Sequence, residues 1–145
     1  MSCNQKSIEK IRRFNRFYTN IIGLLDQHFL ATPFSLTEGR VLYEIRHLEE
    51  CSAKKIREKI QIDEGYLSRI IEKFIKEGLI TKIPSRDDRR LHMIHLTEKG
   101  GEEFARLNEN QNRLISQITE KLSEQENAEL VRMMERMREL LTKRK

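Results

Sequence analysis

IDEGYLSRIIEKFIKEGL, residues 62–79, carries one apolar stripe and both boundaries of a helix. Leu67, Ile70, Ile71, Phe74 and Ile75 recur at helical spacing, so one face of that helix is buried. Asp63 is placed to cap it by accepting the amide of Tyr66, with Ile62 and Leu67 at the two staple positions, and Gly78 supplies the stop. A strand, ITKIPS (80–85), follows, then the charged tip Arg86-Asp87-Asp88-Arg89-Arg90, then a second strand, LHMIHLT (91–97). Helix, strand, basic tip, strand is the layout of a winged helix. Such a layout sets one helix in a DNA major groove and an arginine-bearing loop beside it.

Upstream of this stretch, Ser52 can cap a short helix with Ile56 and Ile60 on its inner face, and Gln61-Ile62 makes a tight turn. Pro33 breaks the chain before that. Ser35 and Glu38 have capping-box spacing, with Thr37 as the alternative cap, and the helix they open carries Val41, Leu42, Ile45 and Leu48 on one side. The first helix is predicted from Ser7 to Leu30. Ile8, Ile11, Tyr18, Ile22, Leu25 and Phe29 form a near-heptad stripe, and Phe14, Phe17, Ile21 and Leu24 form a second. A helix apolar over so much of its circumference is usually buried on two sides. It either faces its own core and a partner chain or runs through a monomeric bundle.

Downstream, Thr97 caps a long helix with Phe104, Leu107, Leu114 and Ile118 at a/d spacing and polar Gln111 among them. Ser123 and Glu126 form a further capping box, opening a last helix with Leu130, Met134, Met137 and Leu141 on one stripe. A small winged helix cannot bury such terminal stripes. Packing against the first helix and a second subunit is the economical solution. The expected fold is mainly α with a small β-hairpin wing. Residues 1–34 form an N-terminal dimerisation helix, 35–97 a winged helix-turn-helix lobe and 98–145 the C-terminal dimerisation helices of one structural domain.

Composition agrees. The 145 residues suit one domain, or one domain with an appended dimerisation element, and 37% hydrophobic residues suffice for a core. A net charge of +5 favours a polyanionic partner, nucleic acid or an acidic surface. No apolar run approaches the ~20 residues of a membrane span. The polar start MSCNQKSIEKIRRF is not a secretory signal, so a cytoplasmic protein without a membrane partner is expected. Cys3 and Cys51, the only cysteines, do not make a disulfide framework and are read as reduced thiols.

On a helical wheel begun at Glu64, the face opposite Leu67 carries Gly65, Ser68, Arg69, Glu72 and Lys76, with Tyr66 at its edge. Residues at the start of a recognition helix meet base edges, so Ser68 and Arg69 are the base-contact candidates. Arginine can bond guanine O6 and N7 in a bidentate way. Gly65 lets the backbone approach DNA, and Lys73 joins the DNA-contact set. In the wing, Arg86, Arg89 and Arg90 are candidates. Arg90 is suited to a narrow minor groove, with Asp88 orienting its guanidinium. Lys54, Lys55, Arg57 and Lys82 suit phosphates, which position without specifying sequence. A solvated helix face or hairpin tip would be equally polar. The spacing of helix and wing is what favours DNA over a basic protein- or membrane-interaction module.

Other chemistry is weak. His28, His47, His92 and His95 are scattered, and His92 and His95 point to opposite faces of a strand, so no metal and no cofactor is expected. No residue pattern supports a hydrolase, and Met133, Met134 and Met137 read as packing.

The segments SLTEGRVLYEI (35–45), IREKIQIDEGYLSRIIEKFIKEGLI (56–80) and the wing SRDDRRLHMIHLTEKG (85–100) resemble the multiple-antibiotic-resistance-regulator (MarR) family of bacterial transcription factors. The Asp88-x-Arg90 wing running into L-T-E-K-G is the most specific part. The resemblance covers most of the chain. It implies a homodimeric, ligand- or stress-responsive regulator, most often a repressor, on a pseudo-palindromic operator. Recognition helices would enter successive major grooves and wing tips the flanking minor grooves. It also implies a cleft for a small aromatic effector, for which Tyr18, Asp26, Phe29, Phe34 and Tyr43 come from suitable segments. Some members sense oxidants through a cysteine near the first helix. The N-terminal part, IRRFNRFYTNIIGLLDQHFLATPFSLTEGRVLYEI (11–45), is similar to a subgroup fused to an acetyltransferase. Gly100-Gly101 merely follows Thr97 at a helix start and is no phosphate-cradling loop, so no acetyltransferase activity and no enzyme is expected.

Overall fold

The computed structural model describes residues 4–29, 32–88 and 90–143, and the side chains of all of these except 25–29. Among them lie six helices and one hairpin: α1 (Gln5–Phe29), α2 (Leu36–His47), α3 (Ala53–Ile60), α4 (Glu64–Lys76), β1 (Ile80–Pro84), β2 (His92–Leu96), α5 (Glu98–Thr119) and α6 (Glu124–Leu141). The class is the expected one, mainly α with a β-hairpin wing. The chain divides into two compact units, one up to Gln111 and one from Asn112 onward, so the boundary falls inside α5.

Side-chain caps set most helix starts. Asn4 Oδ1 accepts the Ser7 amide at 2.8 Å, which starts α1 ahead of the expected Ser7. Its expected end at Leu30 lies outside the described residues. Ser35, not Thr37, caps α2. Its Oγ accepts the Glu38 amide at 3.1 Å while Glu38 Oε1 accepts the Ser35 amide at 2.9 Å. Ser52 accepts the Lys55 amide, Asp63 the Tyr66 amide, and Ser123 pairs reciprocally with Glu126. Stops are equally local. α3 ends on Gln61 in the left-handed region, φ 50°. α4 ends on Gly78, φ 77°, with the Gly78 amide on the Ile75 carbonyl and the Leu79 amide on the Phe74 carbonyl, the paired bonds of a Schellman motif.

The core lies in the first unit, where α2, α3 and α4 enclose Val41, Leu42, Ile56, Leu67 and Phe74 and the hairpin adds Leu79, Ile80 and Ile94. Phe34 packs edge-on against Phe74 with ring centroids 6.0 Å apart. One stripe residue departs from expectation. Ile75 is 42% exposed, because it sits at the margin of an arc that Ile70, Ile71 and Phe74 already fill.

The hairpin runs from the pair Ile80 and Leu96 to the pair Pro84 and His92. Its base is tied on both sides. The Ile94 amide donates to the Cys51 carbonyl at 2.8 Å and the Thr97 amide to the Leu79 carbonyl at 3.0 Å. Thr97 Oγ1 donates to the Gly78 carbonyl at 2.6 Å and accepts the Gly100 amide at 3.0 Å, so one hydroxyl caps α5 and pins it to the end of α4. Lys99 Nζ adds a bond to the Glu77 carbonyl. Gly100 is required here, since a Cβ on it would stand 2.0 Å from the Leu79 carbonyl oxygen.

Cys51 is 2% exposed, and burial, with Glu44 adding to it against Lys55, pushes its thiol up to about 11. A buried, protonated thiol is a poor oxidant sensor, so Cys51 reads as structural. Cys3 lies outside the described residues.

Candidate nucleic-acid interface

Because the α4 stripe faces the core, the opposite side is necessarily presented outward. Gly65, Tyr66, Ser68, Arg69, Glu72, Lys73 and Lys76 are all exposed there. The Arg69 guanidinium carbon lies 5.8 Å from the centroid of the Tyr66 ring, so the aromatic face supports the cation one turn along. A Cβ on Gly65 would meet Asp63 Oδ2 at 3.3 Å, so a side chain there would press on the carboxylate that caps α4.

The wing tip closes on itself. Ser85 donates its amide to the Leu91 carbonyl at 2.7 Å, Leu91 donates to the Asp88 carbonyl at 3.0 Å, and Asp87 donates to Ser85 Oγ. Asp88 Oδ1 accepts the backbone amide of Arg90 at 3.0 Å. Asp88 was expected to orient the Arg90 guanidinium; in the structure it shapes the turn that carries Arg90. Arg86 and Arg90 are exposed at this tip, and Arg89 lies outside the described residues. Lys82 is exposed on β1 and Lys54 on α3. Lys55, also exposed, reaches back to the Glu49 carbonyl at 3.0 Å.

Two further expected DNA contacts are paired with carboxylates of the lobe. Lys73 Nζ stands 2.7 Å from Oε2 of Glu38, whose side chain is nearly buried. Burial acts to raise the Glu38 pKa, but the bond from Lys73 and those at Ser35 outweigh it, so the carboxyl is held below its ordinary 4.5. The same bond raises Lys73 above 10.5. Lys73 therefore ties α4 to the start of α2. Arg57 Nη1 lies 3.4 Å from Glu64 Oε2. Sequence reasoning found the faces but not these pairs. Lys73 and Glu38 are 35 residues apart, and no periodicity links them.

Of the expected effector residues, Tyr18, Phe34 and Tyr43 have described side chains. Tyr18 stacks on Phe14 of its own helix, Tyr43 stacks on His47 at 4.2 Å beside Phe104, and Phe34 is in the core. The side chains of Asp26 and Phe29 lie outside the described residues. Phe34 does border a cleft of about 130 Å³, formed with Pro33 and with Glu103, Arg106, Leu107 and Asn110 of α5. Among the described residues no His, Cys, Asp and Glu cluster could hold a metal, and no helix is long and apolar enough to cross a membrane.

A model of the MarR family matches residues 34–92, the segment from the start of α2 to the start of β2. The HTH-type transcriptional regulator BilQ of Clostridium symbiosum is 25% identical over 87 residues, which cover 60% of this chain and 60% of BilQ. The chain thus spans less than two thirds of that curated relative. A MarR family protein from Bacillus stearothermophilus superposes with a TM-score of 0.83 at 15% identity, covering 98% of this chain and 100% of that one. An E. coli MarR mutant crystallised with operator DNA superposes with a TM-score of 0.74 at 18% identity, covering 94% and 99%.

Proposed function

We propose that this chain, whose winged helix is of the MarR family, binds duplex DNA sequence-specifically as a homodimer and regulates transcription, acting as a repressor. One observation carries the reading: a single lobe presents the Ser68–Arg69 face of α4 and a self-closed wing bearing Arg86 and Arg90. α4 supplies base contacts in the major groove and the wing reaches the minor groove. An E. coli protein of this fold was crystallised with operator DNA, which supports the same use here. A basic module for acidic proteins or anionic membranes would share the charge but give the wing turn no role.

In this reading α1, α5 and α6 form the dimer, and half-sites lie about one helical turn, ~34 Å, apart. The cleft beside Phe34 takes a small aromatic effector. The protein is cytoplasmic, uses no cofactor and catalyses no reaction. The resemblance of its N-terminal part to regulators fused to acetyltransferases carries no acetyl transfer in this reading.

The test is duplex selection from a random pool, followed by mobility shift against random duplex and anionic vesicles. A selected duplex bound far more tightly than random duplex is expected, and vesicle binding without duplex preference overturns the reading. Arg90→Ala should weaken binding to every duplex and flatten the dimer's log–log salt slope by roughly 2 × 0.9. An unchanged slope would make the wing a solvated hairpin.

A further inference from the structure

The turn between α3 and α4 brings opposite charges together on the face that would meet DNA. The Arg57 to Glu64 contact is 3.4 Å long, with Glu64 76% exposed and Arg57 36% exposed. The guanidinium is poorly satisfied by it. Its Nε is buried and has no hydrogen-bond partner among the described residues. The neighbouring carboxylate, Asp63, is accounted for as the cap of α4, bonded to the Tyr66 amide at 3.0 Å. Glu64 caps nothing. It sits in the first turn of α4, where a carboxylate occupies the place and charge of an approaching phosphate.

We propose that Glu64 is a specificity-determining residue. Its carboxylate stands in for a DNA phosphate and withholds Arg57 from the backbone until α4 is seated on matching bases. This rests on α4 being the recognition helix. An exposed ion pair is weak because water screens it, so a phosphate held in direct contact with Arg57 displaces Glu64, while the water-separated phosphates of a loosely bound complex do not. Close docking offers a phosphate fixed in register, which competes with Glu64 for the Nη end of the guanidinium through charge-assisted bonds. Arg57 then adds to the specific complex and not to the non-specific one. Glu64 thereby lowers background binding to random sequence at little loss to the chosen site.

The experiment measures affinity and salt slope on a selected duplex and on random duplex for the wild type, Glu64→Gln, Arg57→Ala and the double variant. Gln keeps the size of an exposed side chain, and thermal unfolding checks that each variant is folded. Glu64→Gln should tighten random-duplex binding, steepen its slope by roughly 2 × 0.9 for the dimer, and lower the ratio of selected to random affinity. Arg57→Ala alone should flatten the slope on the selected duplex more than on random duplex. In the double variant the gain on random duplex, measured against Arg57→Ala alone, should vanish. If that gain survives, Glu64 acts by plain repulsion and the proposal is overturned. A Glu64→Gln variant unchanged on random duplex also overturns it, while the proposed function stands as long as the wild type prefers the selected duplex. A wild type with no such preference overturns both.

Discussion

Arg69 is the side chain proposed to read a base pair from α4, and its placement over the Tyr66 ring limits the rotamers it must give up on docking. Arg69→Ala should cost about 1–3 kcal/mol of discrimination at one base pair per half-site and little on random duplex. Equal losses on both would make Arg69 a phosphate contact. Lys76→Ala, two turns along, should show no specificity effect. Cys51 gives a prediction of another kind. Its folded pKa, about 11, lies above the ordinary 9.0, so its contribution is fully present below pH 9 and is lost as pH rises through 11. The wild type should lose more denaturant resistance between pH 9 and 11 than Cys51→Ala does. Parallel losses would show that other groups carry the alkaline transition. At this scale the sequence was only half legible. Polarity showed which side chains face outward, but Lys73 and Arg57 both proved to be held by carboxylates, and a helix wheel cannot show where a long cation ends.

Elements were more legible, because their causes are local. Ser35, Ser52, Asp63, Thr97 and Ser123 each sit three residues from the amide they accept, so spacing alone reveals them. Where a neighbour from elsewhere decides the outcome, spacing was insufficient. Ile75 belongs to the stripe by periodicity and is left partly outside it by packing. Gly100 is the sharpest instance. As a residue it looked like part of an unremarkable helix start, yet it is the point where α5 crosses the carbonyl ending α4. Gly100→Ala should destabilise the lobe by about 1–3 kcal/mol through overpacking, seen as a lower denaturation midpoint. Gly101→Ala, with open space around its Cβ, is the control and should be close to neutral or mildly stabilising. Equal effects of the two would place the strain elsewhere.

For the whole molecule, the unpartnered surface is the main feature. Phe17 is 59% exposed and Leu141 81%, and α6 buries no residue. Stripes of this length are expected to be covered by another copy, so light scattering at micromolar concentration should give about twice the 17.4 kDa of one chain. A mass near one chain would remove the basis of the dimer. The stripes themselves were readable, because amphipathic spacing survives in any helix that buries a face. Which chain covers them was not, because spacing records that a face is apolar and not whose face meets it.

The hairpin is bound into the lobe at its base and, among the described residues, closed upon itself at its tip. Its two ends therefore keep different clocks. Amides of Ile94 and Thr97 exchange with solvent only when the lobe opens, whereas Asp87 and Arg90 exchange through openings confined to the turn. Under the proposed function, the tip tests groove after groove without disturbing the angle of α4, so the part that searches and the part that sets the docking pose are mechanically separate.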